Sequence, residues 1–493
     1  MSPALPRCLA LALCLAAASP AGASGLSGPV IGTSESSPVH ADPAAAHWNP
    51  AMLGRLAARG PFTSEWLVGA SLLFLSANYE RERLGDYQHR DSLRFKAPVP
   101  AEDLNPSLSG PADPVSAAQV IPAPAPQIFY ARALTDDLVV GVGTFVPFGA
   151  VLAFPDDGAQ KWALQSVELL MVEVAPAIAW RVNEQLSVGL GFGVIGGQLR
   201  LRKVVDLAST PLLHDTFNNP PIGQANDFGP SAPSEVRELD VLSRPVDIGP
   251  GLGIGWSARV GIAYAPTPDL VLAASYLHRV PVTFTGEFKL DMNHPMFTED
   301  LAAQGLRYPA EVNGEAQVEF PLPPAVYAGI SYAASADWDL AATFGWERHS
   351  EVDALTATLD SNELVQPELG LGSQATVALV RDWVDTVRVD ARVMHKMDEL
   401  RLGGVLGYHT GASPDETLDV ASPDGHRVVG AFIAGYHLGA LEWLGGGDAE
   451  LVGDLHVQYV LPRETTKSDY DLANGTYSLL VMALTGGLRI RFE

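Results

Sequence analysis

From Leu252 onward the chain alternates with period two. Leu252, Ile254, Trp256, Ala258, Val260, Ile262 and Tyr264 take one parity, and Gly253, Gly255, Ser257, Arg259, Gly261 and Ala263 take the other. Successive side chains of an extended strand point to opposite faces, so this pattern predicts a strand with one large apolar face and one small or polar face. The same split recurs at Val188, Leu190, Phe192 and Val194 against Ser187, Gly189, Gly191 and Gly193. It returns at Leu340, Phe344 and Trp346 against Asp339, Thr343 and Glu347, and at Leu451, Leu455, Val457 and Tyr459 against Asp454, His456 and Gln458. The C-terminal segment places Leu480, Met482, Leu484, Leu488, Ile490 and Phe492 opposite Thr485, Gly487, Arg489 and Arg491.

Alternation alone also suits a soluble sandwich, whose apolar face would be its core. Three features favour a transmembrane barrel. Segments of about 10 residues or more recur, as a tilted strand crossing a bilayer requires, whereas soluble strands average about 5–6. Arg259, Arg388, Arg392, Arg489 and Arg491 fall on the small face, as a wet lumen would have them, and the chain ends on a strand with Phe492 next to last. The connections also alternate in length. Tight turns are predicted at Thr135-Asp136-Asp137, Asn183-Glu184-Gln185, Thr267-Pro268-Asp269, Ala336-Asp337-Trp338, Met397-Asp398-Glu399 and Gly445-Gly446-Gly447. Long connections lie between them, at 85–126, 149–163, 204–247, 288–312, 349–375, 411–425 and 462–476. Short periplasmic turns and long outer loops are the barrel pattern, and the count of about fourteen strands is even, as in single-chain bacterial barrels. The predicted fold is therefore all-β: a transmembrane antiparallel β-barrel of about fourteen strands.

Composition and the N-terminus agree. The apolar run Leu9 to Ala18 followed by Ala21-Gly22-Ala23 reads as a signal peptide over residues 1–23, with the mature chain starting near Ser24. As an N-terminal anchor the run is shorter than the ~20 residues a spanning helix needs. Both cysteines, Cys8 and Cys14, fall in that segment, so a mature disulfide or cysteine–metal site is not expected. A net charge of −26 argues against nucleic acid as a partner. Neither catalytic residues, a cofactor nor a metal site is expected. The histidines include no HExxH, Gly445-Gly446-Gly447 lacks the lysine of a phosphate loop, and the adjacent His349-Ser350 would point to opposite faces of a strand.

At this level the residues resemble the FadL family, outer-membrane transporters of long-chain fatty acids and aromatic hydrocarbons. Asp42-Pro43-Ala44-Ala45-Ala46-His47-Trp48-Asn49-Pro50-Ala51 is similar to the family's signature in the hatch that plugs the lumen. Val142-Gly143-Thr144-Phe145-Val146-Pro147-Phe148-Gly149, then Trp162, Ser166 and Pro176 to Asn183, resembles the strand–loop–strand block that follows. Leu322-Pro323, Trp383-Val384-Asp385-Thr386, Gly407-Tyr408 and Pro423-Asp424-Gly425-His426-Arg427 agree in order and spacing. The stretch Gly28 to Pro38 departs, lacking the Ala-Gly-rich start of the family's hatch.

The resemblance implies a hatch over 24–62, a barrel over 63–493, and transport of hydrophobic small molecules by loop capture, an inner apolar pocket and sideways exit where a strand is kinked. Proline deletes a ladder donor and glycine permits a bend, so Phe145, Pro147, Phe148 and Gly149 are the kink candidates, with Trp162 on the same path; alternatively Pro147 and Gly149 merely end the strand. Asp42, Asn49, Pro50 and Ala51 are the hatch candidates, Asn49 bonding to backbone and Pro50 fixing the turn. Arg388 and Arg392 could grip a carboxylate, or pair with lumenal acids such as Asp390 and Asp454 or with hatch residues. The partners expected are a hydrophobic ligand, outer-membrane lipid and lipopolysaccharide, and the barrel assembly machinery, the chain itself being a monomer. The competing readings are a general porin, which would have no hatch, an outer-membrane lipase, and a surface adhesin or structural barrel acting through its outer loops.

Overall fold

The computed structural model describes residues 30–83, 110–111, 115–118, 123–206, 243–300, 302, 307–367, 372–465 and 473–492. The expected signal peptide, the start of the hatch, most of the loop 85–126 and nearly all of the loop 204–247 lie outside the described residues.

Fourteen strands close into a ring. They are β1 (Ser64–Arg83), β2 (Ala123–Ala133), β3 (Leu138–Ala153), β4 (Ser166–Arg181), β5 (Leu186–Asp206), β6 (Ser243–Thr267), β7 (Leu270–Leu277), β8 (Ala325–Ala333), β9 (Trp338–Glu347), β10 (Thr386–Met397), β11 (Leu400–His409), β12 (Arg427–Leu441), β13 (Gly447–Thr465) and β14 (Gly475–Phe492). Each pairs antiparallel with the next, and β1 closes on β14 from Ser64↔Phe492 to Arg81↔Gly475. Closure gives every ring strand a partner on each side, which a bilayer without water to satisfy backbone groups demands.

All the tight turns fall at one end of the barrel, the periplasmic end by the usual rule. Between β12 and β13, Gly445 and Gly446 turn with φ of +79° and +81°, a conformation that favours glycine. The alternation sorts as the sequence indicates. Leu190, Phe192, Leu252, Ile254 and Trp256 face outward and are exposed, whereas Ser257, Arg259, Asp454 and Thr485 face inward and are buried. A charge on the lipid face at mid-depth costs about 2–4 kcal/mol, so apolar residues hold that parity. Near the tight-turn end Trp66, Trp180, Tyr264, Tyr332, Trp338 and Tyr436 point outward as an aromatic girdle.

The outer end carries more order than long loops would suggest. Thr283–Asp291, Glu311–Glu319, Ala354–Asp360 and Gln374–Val380 are strands that continue from β6 as a sheet beyond the ring. The stretch 288–312, read from sequence as a loop, is thus strand at both ends. An apolar cluster closes the lumen from this side, built from Leu75, Leu152, Leu169, Phe284, Phe320 and Leu418 among others.

Candidate functional site

The segment from Val30 to Thr63 packs against the inner faces of β4, β5 and β6. Two short helices, α1 (Ala45–Trp48) and α2 (Gly54–Ala57), flank a 3-10 turn at Pro50–Leu53. Asn49 caps that turn: its Oδ1 accepts the Ala51 N–H (3.1 Å), and its amide donates to the carbonyls of Pro38 (3.0 Å) and Ile262 (3.3 Å). Pro50 occupies the first position of the turn, where its missing donor is harmless. The small lumenal parity now has a cause. A Cβ on Gly261 would meet Asn49, and one on Gly189 would meet Pro50 and Ala51, so the glycines on β5 and β6 make room for the hatch.

Two buried ionic clusters tether the plug. In the first, Glu173 of β4 receives Arg259 of β6 bidentately at 2.6 and 2.7 Å and Ser257 at 2.5 Å. These strands are separated by β5, whose Gly193 has no side chain to stand between them. Arg259 also reaches His47 Nδ1 of α1 (3.2 Å). In the second, Arg401 of β11 binds Glu35 (2.9 Å) and Glu450 (2.6 Å), and Arg489 of β14 lies 2.9 Å from Glu450 and 3.6 Å from Asp42. Asp42 further accepts the Ser36 hydroxyl (2.8 Å).

The hatch lies in no spanning strand, and its titratable groups feel this burial. Burial pushes Glu35 up, but His40, Arg401, Arg489 and Arg392 outweigh it and hold the carboxyl well below its usual range. Burial drives the His40 imidazole down to about 3 and His47 well below its usual value, and it raises Asp42 to about 6.

The remaining candidates sort as follows. Phe145 points inward, fully buried, stacked on Phe129 (5.4 Å) and edge-on to His47 (4.9 Å). Between Phe145↔Glu173 and Phe148↔Met171 the β3–β4 register slips, so Val146-Pro147 forms a bulge rather than the strand's end; the strand runs on past Gly149 to Ala153. On the other side of β3, pairing with β2 stops at Ile128↔Thr144, although β2 continues to pair with β1 as far as Ala123↔Leu73. Above Thr144, among the described residues, no further β2–β3 pair continues the ladder. Behind it sits the hatch, where Gly32 exchanges two hydrogen bonds with the Gln127 side chain (2.7 and 2.5 Å).

Trp162 lies in the outer loop after β3, packed on Val204 and under Lys161. Arg392 donates to the Glu35 carbonyl (2.5 Å). Asp390 pairs with His409 (2.9 Å) instead of with Arg388. Arg388 stacks its guanidinium between Trp48 (4.9 Å) and Tyr327 (4.7 Å). Asp454 accepts both the N–H (3.1 Å) and the hydroxyl (2.6 Å) of hatch Ser34.

Between the hatch below and the apolar cluster above lies a cavity of about 180 Å³. That is of the order of a dry cavity that accepts benzene, about 150 Å³. Pro147, Phe148, Ile195, Val280 and Leu322 supply apolar wall; Arg388, Glu347 and His349 supply polar wall. Pro147 and Phe148, which follow the last β2–β3 pair along β3, are among its lining residues. The groups Glu35, Arg401, Glu450 and Glu173 escaped the sequence reading because strand order around the ring, which alone brings them together, leaves no local signal.

Comparison with known proteins follows the same lines. A family model described as outer membrane protein transport protein (OMPP1/FadL/TodX) matches residues 9–452. The fold is similar to the crystal structure of a Pseudomonas aeruginosa FadL homologue, with a TM-score of 0.67 and 16% identity over 96% of this chain and 98% of that one. It is similar also to the Pseudomonas putida toluene transporter TodX, with a TM-score of 0.61 and 16% identity over 94% and 99%. For the Ralstonia pickettii toluene transporter TbuX the TM-score is 0.59, with 16% identity over 94% and 100%. No curated protein matches the sequence.

Proposed function

This chain belongs to the OMPP1/FadL/TodX family of outer-membrane transport proteins, and from that premise we propose that it moves hydrophobic small molecules inward by capture at the outer loops, passage through the central cavity, and sideways release between β2 and β3. The observation that carries this reading is the seam itself. The β2–β3 ladder ends at Ile128↔Thr144 just where Pro147 bulges β3, and Pro147 and Phe148 border the cavity. A solute leaving there meets lipid, not the hatch or bulk water, and hydrophobic transfer favours that route. The apolar cluster at the outer end supports a capture role for the loops. In this reading the ligand is of the fatty-acid or aromatic-hydrocarbon kind, the barrel acts as a monomer, and it sits among outer-membrane lipid and lipopolysaccharide after delivery by the assembly machinery.

The test removes the bulge without touching the cavity's far wall. Deleting Val146 and replacing Pro147 by Val restores one-to-one pairing with β4 and returns a ladder donor. Uptake of labelled toluene should fall more than tenfold while binding by the detergent-folded barrel persists. Unchanged uptake would show that release does not use this seam. A structural or adhesin barrel would show neither binding nor uptake.

A further inference from the structure

We propose that Arg388 makes the cavity a head site for a small aromatic acid, a single ring bearing one carboxylate, in preference to a neutral hydrocarbon; this deepens, and rests on, the transport reading above. Other arginines of the lumen are met by the protein itself. Arg259 grips Glu173, Arg401 and Arg489 share Glu450, Arg427 lies 3.1 Å from Asp424, and Arg392 donates to the Glu35 carbonyl. Among the described residues the Arg388 guanidinium has no hydrogen bond and no ion pair. The acids beside it are engaged elsewhere: Glu347 accepts from Tyr327 (3.0 Å) and faces His349 Nε2 (3.0 Å), and Asp390 pairs with His409 (2.9 Å).

The seat of this arginine is built. Gly345, its partner on β9, leaves free the space that the side chain crosses, since a Cβ there would stand 2.7 Å from Arg388 Cγ and 2.8 Å from Nε. The guanidinium carbon then lies 4.9 Å from the Trp48 ring and 4.7 Å from the Tyr327 ring, contacts that favour a cation but leave its N–H groups without an acceptor. The side chain is only half-buried, and none of its nitrogens is among the unpaired polar atoms that the protein seals off. Those N–H groups are therefore open to the cavity that the residue lines. A charge held out of bulk water without a partner is costly, and the fork of a guanidinium matches the two oxygens of a carboxylate. The size of the space limits what carries that carboxylate. A cavity of about 180 Å³ is of the order of one that accepts benzene, about 150 Å³, so the apolar body is a single ring, with Phe148, Ile195 and Leu322 among its neighbours.

The experiment titrates the full-length barrel, folded in non-ionic detergent, with benzoate, benzamide and toluene at pH 7.5, well above the value of about 4 at which a free carboxyl ionises. Transfer from water alone favours toluene and disfavours the ion, so the order of affinities is diagnostic. The inference predicts benzoate binding at least tenfold tighter than either neutral solute. In Arg388→Gln, verified as folded by heat-modifiable gel mobility, that preference should collapse or reverse while toluene affinity stays within about twofold. Gly345→Ala keeps the charge but pushes it off its seat, and should weaken benzoate in the same way; it decides the matter if Arg388→Gln does not fold. Toluene or benzamide binding as tightly as benzoate in the native chain would overturn the head site and leave the transport reading standing. So would a benzoate preference that survives these substitutions. Oleate displacing bound benzoate at lower concentration than benzoate itself would overturn the single-ring class. Binding of none of these solutes by a folded barrel would instead remove the transport reading on which the inference rests.

Discussion

Gly261→Ala isolates the hatch from the barrel. The added methyl points into the lumen, where Asn49 Oδ1 now sits, and the strand pairs Gly189↔Gly261 and Gly261↔Ser275 need not change. Asn49 must therefore leave its seat and give up the bonds to Ala51, Pro38 and Ile262. At about 1 kcal/mol each, the loss is about 3 kcal/mol against the seated hatch, on the order of a 100-fold shift toward release. The barrel wall, held by long ladders on both sides of β6, should keep its own stability. Single-channel conductance in planar bilayers should rise, and amide hydrogen exchange over residues 44–57 should accelerate by about that factor, with heat-modifiable gel mobility unchanged. Asn49→Ala tests the mechanism by removing the colliding group: the double variant should be no looser than Asn49→Ala alone. Conductance and exchange in Gly261→Ala equal to the native protein would refute the packing argument.

Two further perturbations bear on the tethers. Glu173→Gln leaves Arg259 buried without its countercharge, which should cost about 3–5 kcal/mol and lower the urea midpoint of the inserted barrel; an unshifted midpoint would mean the pair is solvated in solution. For pH, the seated state holds His40 near 3 and His47 well below its usual value, so each takes up a proton only on release. Their contribution is present above the free value of about 6.5 and lost as pH falls. Asp42, raised to about 6, works the other way, since the seated form binds the extra proton between about 4 and 6. Conductance should thus rise on acidification from pH 7.5 to 5.5 and rise more steeply in Asp42→Asn; a flat profile in both would contradict the assignment.

Much of this architecture is legible in the chain because a bilayer punishes errors of parity. Leu252, Ile254 and Trp256 share one apolar parity in the sequence, and in the ring that parity faces outward. The turn at Asn49-Pro50 was legible too, since it is a cap and a first-turn proline whatever surrounds it. Less could be read where function depends on non-local pairing. Phe145 and Pro147 indicate a distortion, but only the β2–β3 register shows that it coincides with the end of a ladder. Arg388 reads as an ion-pair candidate with Asp390 two residues on, yet strand order brings His409 to Asp390 and leaves the guanidinium between two aromatic rings. Trp162, placed on the path by its position in the block, lies in the outer loop after β3 and packs on Val204 of β5.

The central claim is that the barrel binds and passes small hydrophobic molecules. Its most direct test is saturable uptake of labelled toluene and labelled oleate by cells expressing the full chain in a background lacking other such transporters, with sucrose as the control. The account predicts saturable uptake of at least one apolar solute and none of sucrose above background. Sucrose entry at the same rate as the apolar solutes, or no uptake of either apolar solute while the folded barrel is present in the outer membrane, would contradict it.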